Sequence, residues 1–408
     1  IKQLWSPVQI MNTSVDKQFD GKFSVENRYD YLNLNTCRFL WKQVKFPTAT
    51  DASNTTAQVL KQGEVQGSDV AAHSAGVLDI KTTILPDADA LFLTAIDRYG
   101  HELWRWTFPV NKLNQANEVL SPLSNKVTST ETENELTVKA KNHTFIFSKK
   151  DGQLKGVSVN NRKISFANGP RFIGARRADR SLDQFYNHDD EKAKEKDRTY
   201  SEFPDAAVFT KLDVKEDGGN LIVTANYKLG NLDKAQWTIN PSGDLALDYT
   251  YNFSGVVDLM GIRFDYPEDQ VISKRWLGAG PYRVWQNRIH GTQYDVWEND
   301  YNDPIPGETF TYPEFKGYFG SVSWMNIRTK EGTISLTNET PDAYIGVYQP
   351  RDGRDRLLYT LPESGISVLN VIPPVRNKVN STDLCGPSSQ PKWVNGPQSG
   401  RIIFRFME

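Results

Sequence analysis

Leu245, Leu247, Tyr249, Tyr251 and Phe253 alternate with Ala246, Asp248, Thr250 and Asn252. An apolar residue at every second position gives a half-buried strand, whereas a helical stripe recurs at a period of 3.6. No stretch of any length in this chain repeats apolar residues at helical spacing, so the cover for that strand must be other strands. β segments recur at residues 38–44, 91–96, 144–148, 221–227, 333–337 and 401–406. Asp151-Gly152 lies between two such segments, and Asp217-Gly218-Gly219 precedes another. Asp-Gly between β segments signals a tight hairpin, because glycine accepts the positive φ that such turns need. Strands joined without crossover helices make antiparallel sheets, so the chain is predicted to be all-β.

Within residues 1–109, short strands with turn signals recur about every ten residues, the pattern of an immunoglobulin-like sandwich. Phe23, Val25 and Asn27 alternate there with Ser24, Glu26 and Arg28. Residues 110–129 are polar and read as a linker between domains. Strand signals then fill residues 130–408, which predicts a very large antiparallel sandwich. One run, residues 189–198, is a mixture of charges without an apolar face and reads as a solvated segment with no assigned function.

A length of 408 residues suggests two or three domains with ample core. The net charge of −2 comes without a basic stripe or polybasic run, which argues against nucleic acid and anionic membrane as partners. No apolar run reaches the length of a membrane span. The chain starts at Ile1 without a signal-peptide pattern and reads as an excised piece or a processed chain. Cys37 and Cys385 are the only cysteines. They form neither a disulfide framework nor a metal cluster, and read as two buried thiols, with one bridge between distant sites as the alternative. No spacing of His, Cys or carboxylates suits a metal, and no cofactor motif is present.

The stretch Trp276-Leu277-Gly278-Ala279-Gly280-Pro281-Tyr282-Arg283-Val284-Trp285-Gln286-Asn287-Arg288 concentrates the binding chemistry. Gly278 and Gly280 can take positive φ or admit a close neighbour, and Pro281 should end a strand. Trp285 offers a flat apolar face, and Arg283, Asn287 and Arg288 offer donors, which is the surface a sugar ring asks for. The same residues equally describe a packed loop whose arginines satisfy backbone carbonyls. Trp297 and His290 follow closely, with Tyr294, Asn299, Tyr301, Asn302, Tyr312, Glu314 and Phe315 beyond. Arg283 could pair an acidic sugar.

Trp-Leu-Gly-x-Gly-Pro resembles a hallmark of the last large β domain of family 2 glycoside hydrolases, the β-galactosidase-like enzymes. Their usual His-Glu-Asn-Tyr is replaced here by Tyr282-Arg283-Val284-Trp285, and their Asp-Arg by Asn287-Arg288. Thr144-Phe145-Ile146-Phe147-Ser148, then Asp151-Gly152, then Gly169-Pro170-Arg171-Phe172, follow in the family's order. Asn27-Arg28-Tyr29-Asp30 resembles the family's immunoglobulin-like domain, and both residues Asn27 and Arg28 read as holding a strand-to-loop transition. The resemblance implies a galactose-mutarotase-like supersandwich for residues 130–408. It also implies missing N-terminal jelly-roll and barrel domains, a carbohydrate substrate, and possible homo-oligomer contacts. Exported relatives point to the periplasm or secretion.

Glycoside hydrolysis needs two flanking carboxylates, which the related enzymes carry on a (β/α)₈ barrel. This chain has no alternation of strands and helices, so the resemblance implies no catalytic residue here. Asn134-Glu135, Glu298-Asn299 and Asn338-Glu339 lie in strand and turn contexts and read as coincidence. The resemblance does imply that an aromatic near the C-terminus reaches the substrate mouth. Trp393, after Asp383-Leu384-Cys385-Gly386-Pro387, is the nearest match, with core packing as its alternative. A mutarotase-like activity would need His and Glu converging on a ring oxygen. His73, His101, His143, His188 and His290 supply no such identifiable pair. The remaining alternatives are a free-standing carbohydrate-binding module and a purely structural interaction domain.

Overall fold

The computed structural model describes residues 2–51, 56–110, 126–177, 200–300, 317–347, 364–374 and 386–408. Within the described residues the only α-helix is the single turn Lys2–Trp5, and strands supply nearly all other regular structure. The chain is all-β. It divides into two compact units. The first holds Ile1–Asn117, Leu277–Tyr282 and His290–Trp297; the second holds Glu118–Trp276, Arg283–Ile289 and Glu298–Glu408. Most of residues 110–129, and all of the charged run 189–198, lie outside the described residues.

In the first unit, Lys22–Asn27 is flanked antiparallel by Val8–Ile10 and Ser74–Asp79. A second sheet runs in the order Gln58–Gln66, Arg38–Lys45, Ala90–Ile96, Glu102–Pro109. Phe23, Val25 and Asn27 point inward and Lys22 and Ser24 outward, the alternation their spacing predicts. Phe23 and Val25 meet Phe39, Trp41, Leu91 and Phe108 in one core. Cys37 is a free thiol in that core, and burial pushes its pKa up. Cys385 lies outside the described residues. Asn27 is fully buried, so its amide must find partners inside the protein. Its Nδ2 donates to the carbonyls of Leu32 and Val70, both at 2.9 Å, and its Oδ1 accepts from the Tyr29 N–H at 3.0 Å. That amide holds the strand-to-loop transition, whereas Arg28 is engaged with Glu26 at 2.7 Å on the surface.

The second unit is built from two antiparallel sheets. One runs Tyr344–Val347, Ile366–Val371, Leu259–Asp265, Ala167–Arg177, Leu154–Val159, His143–Ser148, Glu135–Ala140, Thr128–Glu131. The other includes, in order, Val208–Asp217, Asn220–Lys228, Leu232–Ile239, Leu245–Val257, Lys392–Met407, Gly332–Asn338 and Trp324–Thr329. The hairpin that Asp151-Gly152 signals is present, and a second one turns at Asp217-Gly218-Gly219. Gly152 takes φ +73° between His143–Ser148 and Leu154–Val159, and Gly218 and Gly219 take +58° and +92° before Asn220–Lys228. Leu245, Leu247, Tyr249, Tyr251 and Phe253 are all buried, with Asp248, Thr250 and Asn252 half-buried between them.

Aromatic rings fill the space between these sheets. Phe264 meets Phe404 edge-on at 5.4 Å, Phe147 lies 6.0 Å from Trp237, and Phe166 lies 5.1 Å from Phe404. Tilted and edge-on pairs suit the ring quadrupole, and each such side chain buries about 150–250 Å². Glu331 adds a polar stitch. Its carboxylate accepts from Ser165 N–H at 2.9 Å, Ser165 Oγ at 2.7 Å and Tyr266 Oη at 2.9 Å.

Candidate functional site

The strand Val271–Gly280 stops one residue short of Pro281, which has no N–H to extend it. Gly280 does not take positive φ; it serves by its size. A Cβ there would lie 2.4 Å from the Trp297 ring. Trp297 is thereby seated in the first unit, half-buried, its Nε1 donating to the carbonyls of Gly278 and Gln293 at 3.2 Å each. Trp276 belongs to the second unit and is buried, edge-on to Phe319 at 4.8 Å.

Beyond Pro281 the chain turns tightly. Arg283 is half-buried, with its guanidinium 6.0 Å from the Phe319 centroid. The buried Lys274 lies 5.8 Å from that centroid, so one ring faces two cations. Val284 exchanges backbone hydrogen bonds with Tyr318 at 2.7 and 2.8 Å. Trp285 is buried to 1 % exposure, edge-on to Tyr318 at 5.6 Å, in a cluster with Ile173, Leu259 and Leu369. Its ring faces are occupied by protein, and in this arrangement it packs the core and offers no platform to a sugar. The Arg288 N–H donates to the Trp285 carbonyl at 2.9 Å, closing the turn, and the Arg288 and His290 side chains are exposed.

Gln286 joins two stretches that the sequence keeps far apart. It is buried, and its own N–H donates to the Pro373 carbonyl at 3.0 Å. Its Nε2 donates to the carbonyls of Ser388 at 3.0 Å and Gln390 at 2.7 Å. Asn287 Nδ2 donates to Ser389 Oγ at 2.9 Å. These bonds clamp the 3-10 turn Pro387–Ser389, which feeds directly into the strand Lys392–Met407. Trp393, second in that strand and opposite Val256, is 71 % exposed. The structure thus gathers Asn287 and the lead-in to Trp393 on the second unit. Trp297 and His290 are counted with the first.

Sequence reasoning passed over Gln286 as a site residue. The available signal was its place beside a tryptophan in a turn, since an amide there must satisfy some backbone. Tyr301, Asn302, Tyr312, Glu314, Phe315, His188 and residues 383–385 lie outside the described residues. His143 Nε2 sits 2.9 Å from the Phe406 carbonyl, a structural contact. Among the described residues no group of His, Cys, Asp and Glu could hold a metal, and no helix is long and apolar enough to cross a membrane. The corner that bears Trp393 offers an open indole and a fixed set of amides, which suits stacking and hydrogen bonding.

Fold and corner together define an all-β chain of antiparallel sheets with an exposed indole on a clamped strand start. The family model described as beta galactosidase small chain matches residues 139–371, more than half of the chain, and the chain belongs to that family. The motifs at residues 144–152, 169–172 and 276–288 all fall inside the match; Trp393 lies beyond it. Among solved structures, the chain is similar to a galactose 1-epimerase from Lactobacillus acidophilus NCFM at 11 % identity and TM-score 0.37, covering 70 % of this chain and 99 % of that one. A putative mutarotase from Salmonella typhimurium is similar at 9 % identity and TM-score 0.32, covering 69 % and 94 %. A copper-containing benzylamine oxidase from Hansenula polymorpha is similar at 7 % identity and TM-score 0.28, covering 91 % and 77 %. No curated protein matches the sequence.

Proposed function

We propose that this chain is the non-catalytic C-terminal part of a family 2, β-galactosidase-like glycoside hydrolase. Residues 1–109 form its immunoglobulin-like domain, residues 110–129 a linker, and residues 130–408 its galactose-mutarotase-like supersandwich. The carboxylates that cleave the O-glycosyl bond then belong to a barrel, preceded by a jelly-roll domain. This chain braces that barrel and shapes the mouth through which carbohydrate enters, in an enzyme of the periplasm or the medium.

The observation that carries the reading is Trp393, exposed on a strand whose lead-in turn is held by Gln286 and Asn287. The clamp holds the backbone that leads into the indole, and the indole offers a large apolar face on which a sugar can stack. Asn287 is part of that clamp, and the exposed Arg288 side chain follows it. The test is Trp393→Ala in the complete enzyme. The reading predicts a fall in kcat/KM on oligosaccharides of about tenfold, the loss of one aromatic contact of about 1.4 kcal/mol. Unchanged kcat/KM across oligosaccharides would refute the role of Trp393.

A further inference from the structure

Two motifs singled out in the sequence, Asp151-Gly152 and Gly169-Pro170-Arg171-Phe172, converge on a cleft of about 350 Å³ in the second unit. Arg171, Arg263, Asp205 and Gln153 line its polar side, and Phe209 and Leu232 its apolar side. That volume falls at the small end of ligand pockets, which span about 300–1,000 Å³, and suits one or two sugar rings.

Arg171 and Arg263 are direct cross-strand partners on Ala167–Arg177 and Leu259–Asp265. Like charges set opposite each other destabilise a sheet, so the surroundings must compensate. Asp265 contacts Arg171, and Glu202 lies 3.7 Å from Arg263. The wall is tied together further. Asn168 Nδ2 donates to Asp265 at 2.9 Å, and Lys155 Nζ donates to Asn168 Oδ1 at 3.3 Å while pairing with Asp151 at 2.9 Å. Tyr227 Oη donates to the Asp151 carbonyl at 3.0 Å. Arg171 Nε is buried and has no acceptor among the described residues.

The cleft is therefore rich in donors and acceptors, and with their partners Lys155, Asp265 and Glu202 the lining residues Lys150, Asp151, Arg171, Asp205 and Arg263 set four cations against four carboxylates. A free anion would meet the carboxylates already there. Vicinal hydroxyls both donate and accept, so they match a guanidinium beside a carboxylate, and the Phe209 ring can take a C–H face. We propose that this cleft is a saccharide site for a neutral mono- or disaccharide, separate from the Trp393 corner. The choice of sugar rests on the carbohydrate reading above; the existence of the site rests on the cleft itself.

The test is isothermal titration calorimetry of this chain with D-galactose and lactose, with D-galacturonate and inorganic phosphate as anionic probes. Either neutral sugar should bind, and Arg171→Gln and Asp205→Asn should each weaken binding about tenfold or more. Lys139→Ala, an exposed change elsewhere on the second unit, should leave this affinity unchanged. Melting curves accompany each variant, and Asp205→Asn, being isosteric, decides the matter if Arg171→Gln unfolds. The proposal is overturned by silence toward both neutral sugars or by a preference for either anion. It is also overturned by sugar binding that Trp393→Ala abolishes and Asp205→Asn leaves intact; that last result would keep the Trp393 reading and remove this one.

Discussion

Gln286 donates from one side-chain nitrogen to two carbonyls, 102 and 104 residues further along the chain. Gln286→Ala removes both bonds and should cost about 1–3 kcal/mol, with faster amide hydrogen exchange through residues 388–393 as the measured sign. Gly280→Ala would press a methyl group against the Trp297 ring, and urea unfolding should show a loss of about 1–3 kcal/mol. Asp151 gives a pH dependence. Burial pushes its carboxyl up, but hydrogen bonds from Lys155, the Gln153 N–H and Ser148 outweigh that and hold it below the usual carboxylate range. A lowered folded value contributes stability that is complete above the unfolded pKa of about 3.9 and is lost as pH falls through the folded one. Melting temperature should therefore drop on acidification below about pH 4, and Asp151→Asn should flatten that part of the curve. At this scale the sequence discriminates poorly. Trp285 and Trp393 are both aromatics in Pro- and Gly-containing loops, yet one is buried and the other open. The difference lies in partners, Tyr318 and Leu369 for Trp285, that local sequence does not name.

The strand Leu245–Val257 pairs with Lys392–Met407 along its whole length. Phe404, on the second of these, touches Phe166, Phe264 and Trp237. Phe404→Ala should cost about 3–5 kcal/mol, read as a fall in denaturation midpoint with unchanged slope. The period of two made Leu245–Val257 legible from its residues alone. Only the last part of its partner, residues 401–406, was legible, because Gly396, Pro397 and Gly400 weaken the strand signal before it. Long-range pairing with Leu245–Val257 overrides that local preference, and no window of sequence contains it. Val208–Asp217 was hidden for another reason. It is the outermost strand of its sheet, most of its side chains are exposed, and so its sequence carries little alternation.

For the molecule as a whole, all-β architecture followed from what the chain lacks, helical periodicity, and from where it places Asp-Gly turns. Membership of the beta galactosidase small chain family then fixes the lineage of its larger part. We propose that the chain contributes binding surface and support, while bond cleavage belongs to carboxylates elsewhere. The most direct measurement is chromophore release from a panel of aryl glycosides by this chain alone. The account predicts no turnover above the uncatalysed rate on any of them. Sustained turnover, abolished by changing one carboxylate within these β sheets, would contradict it.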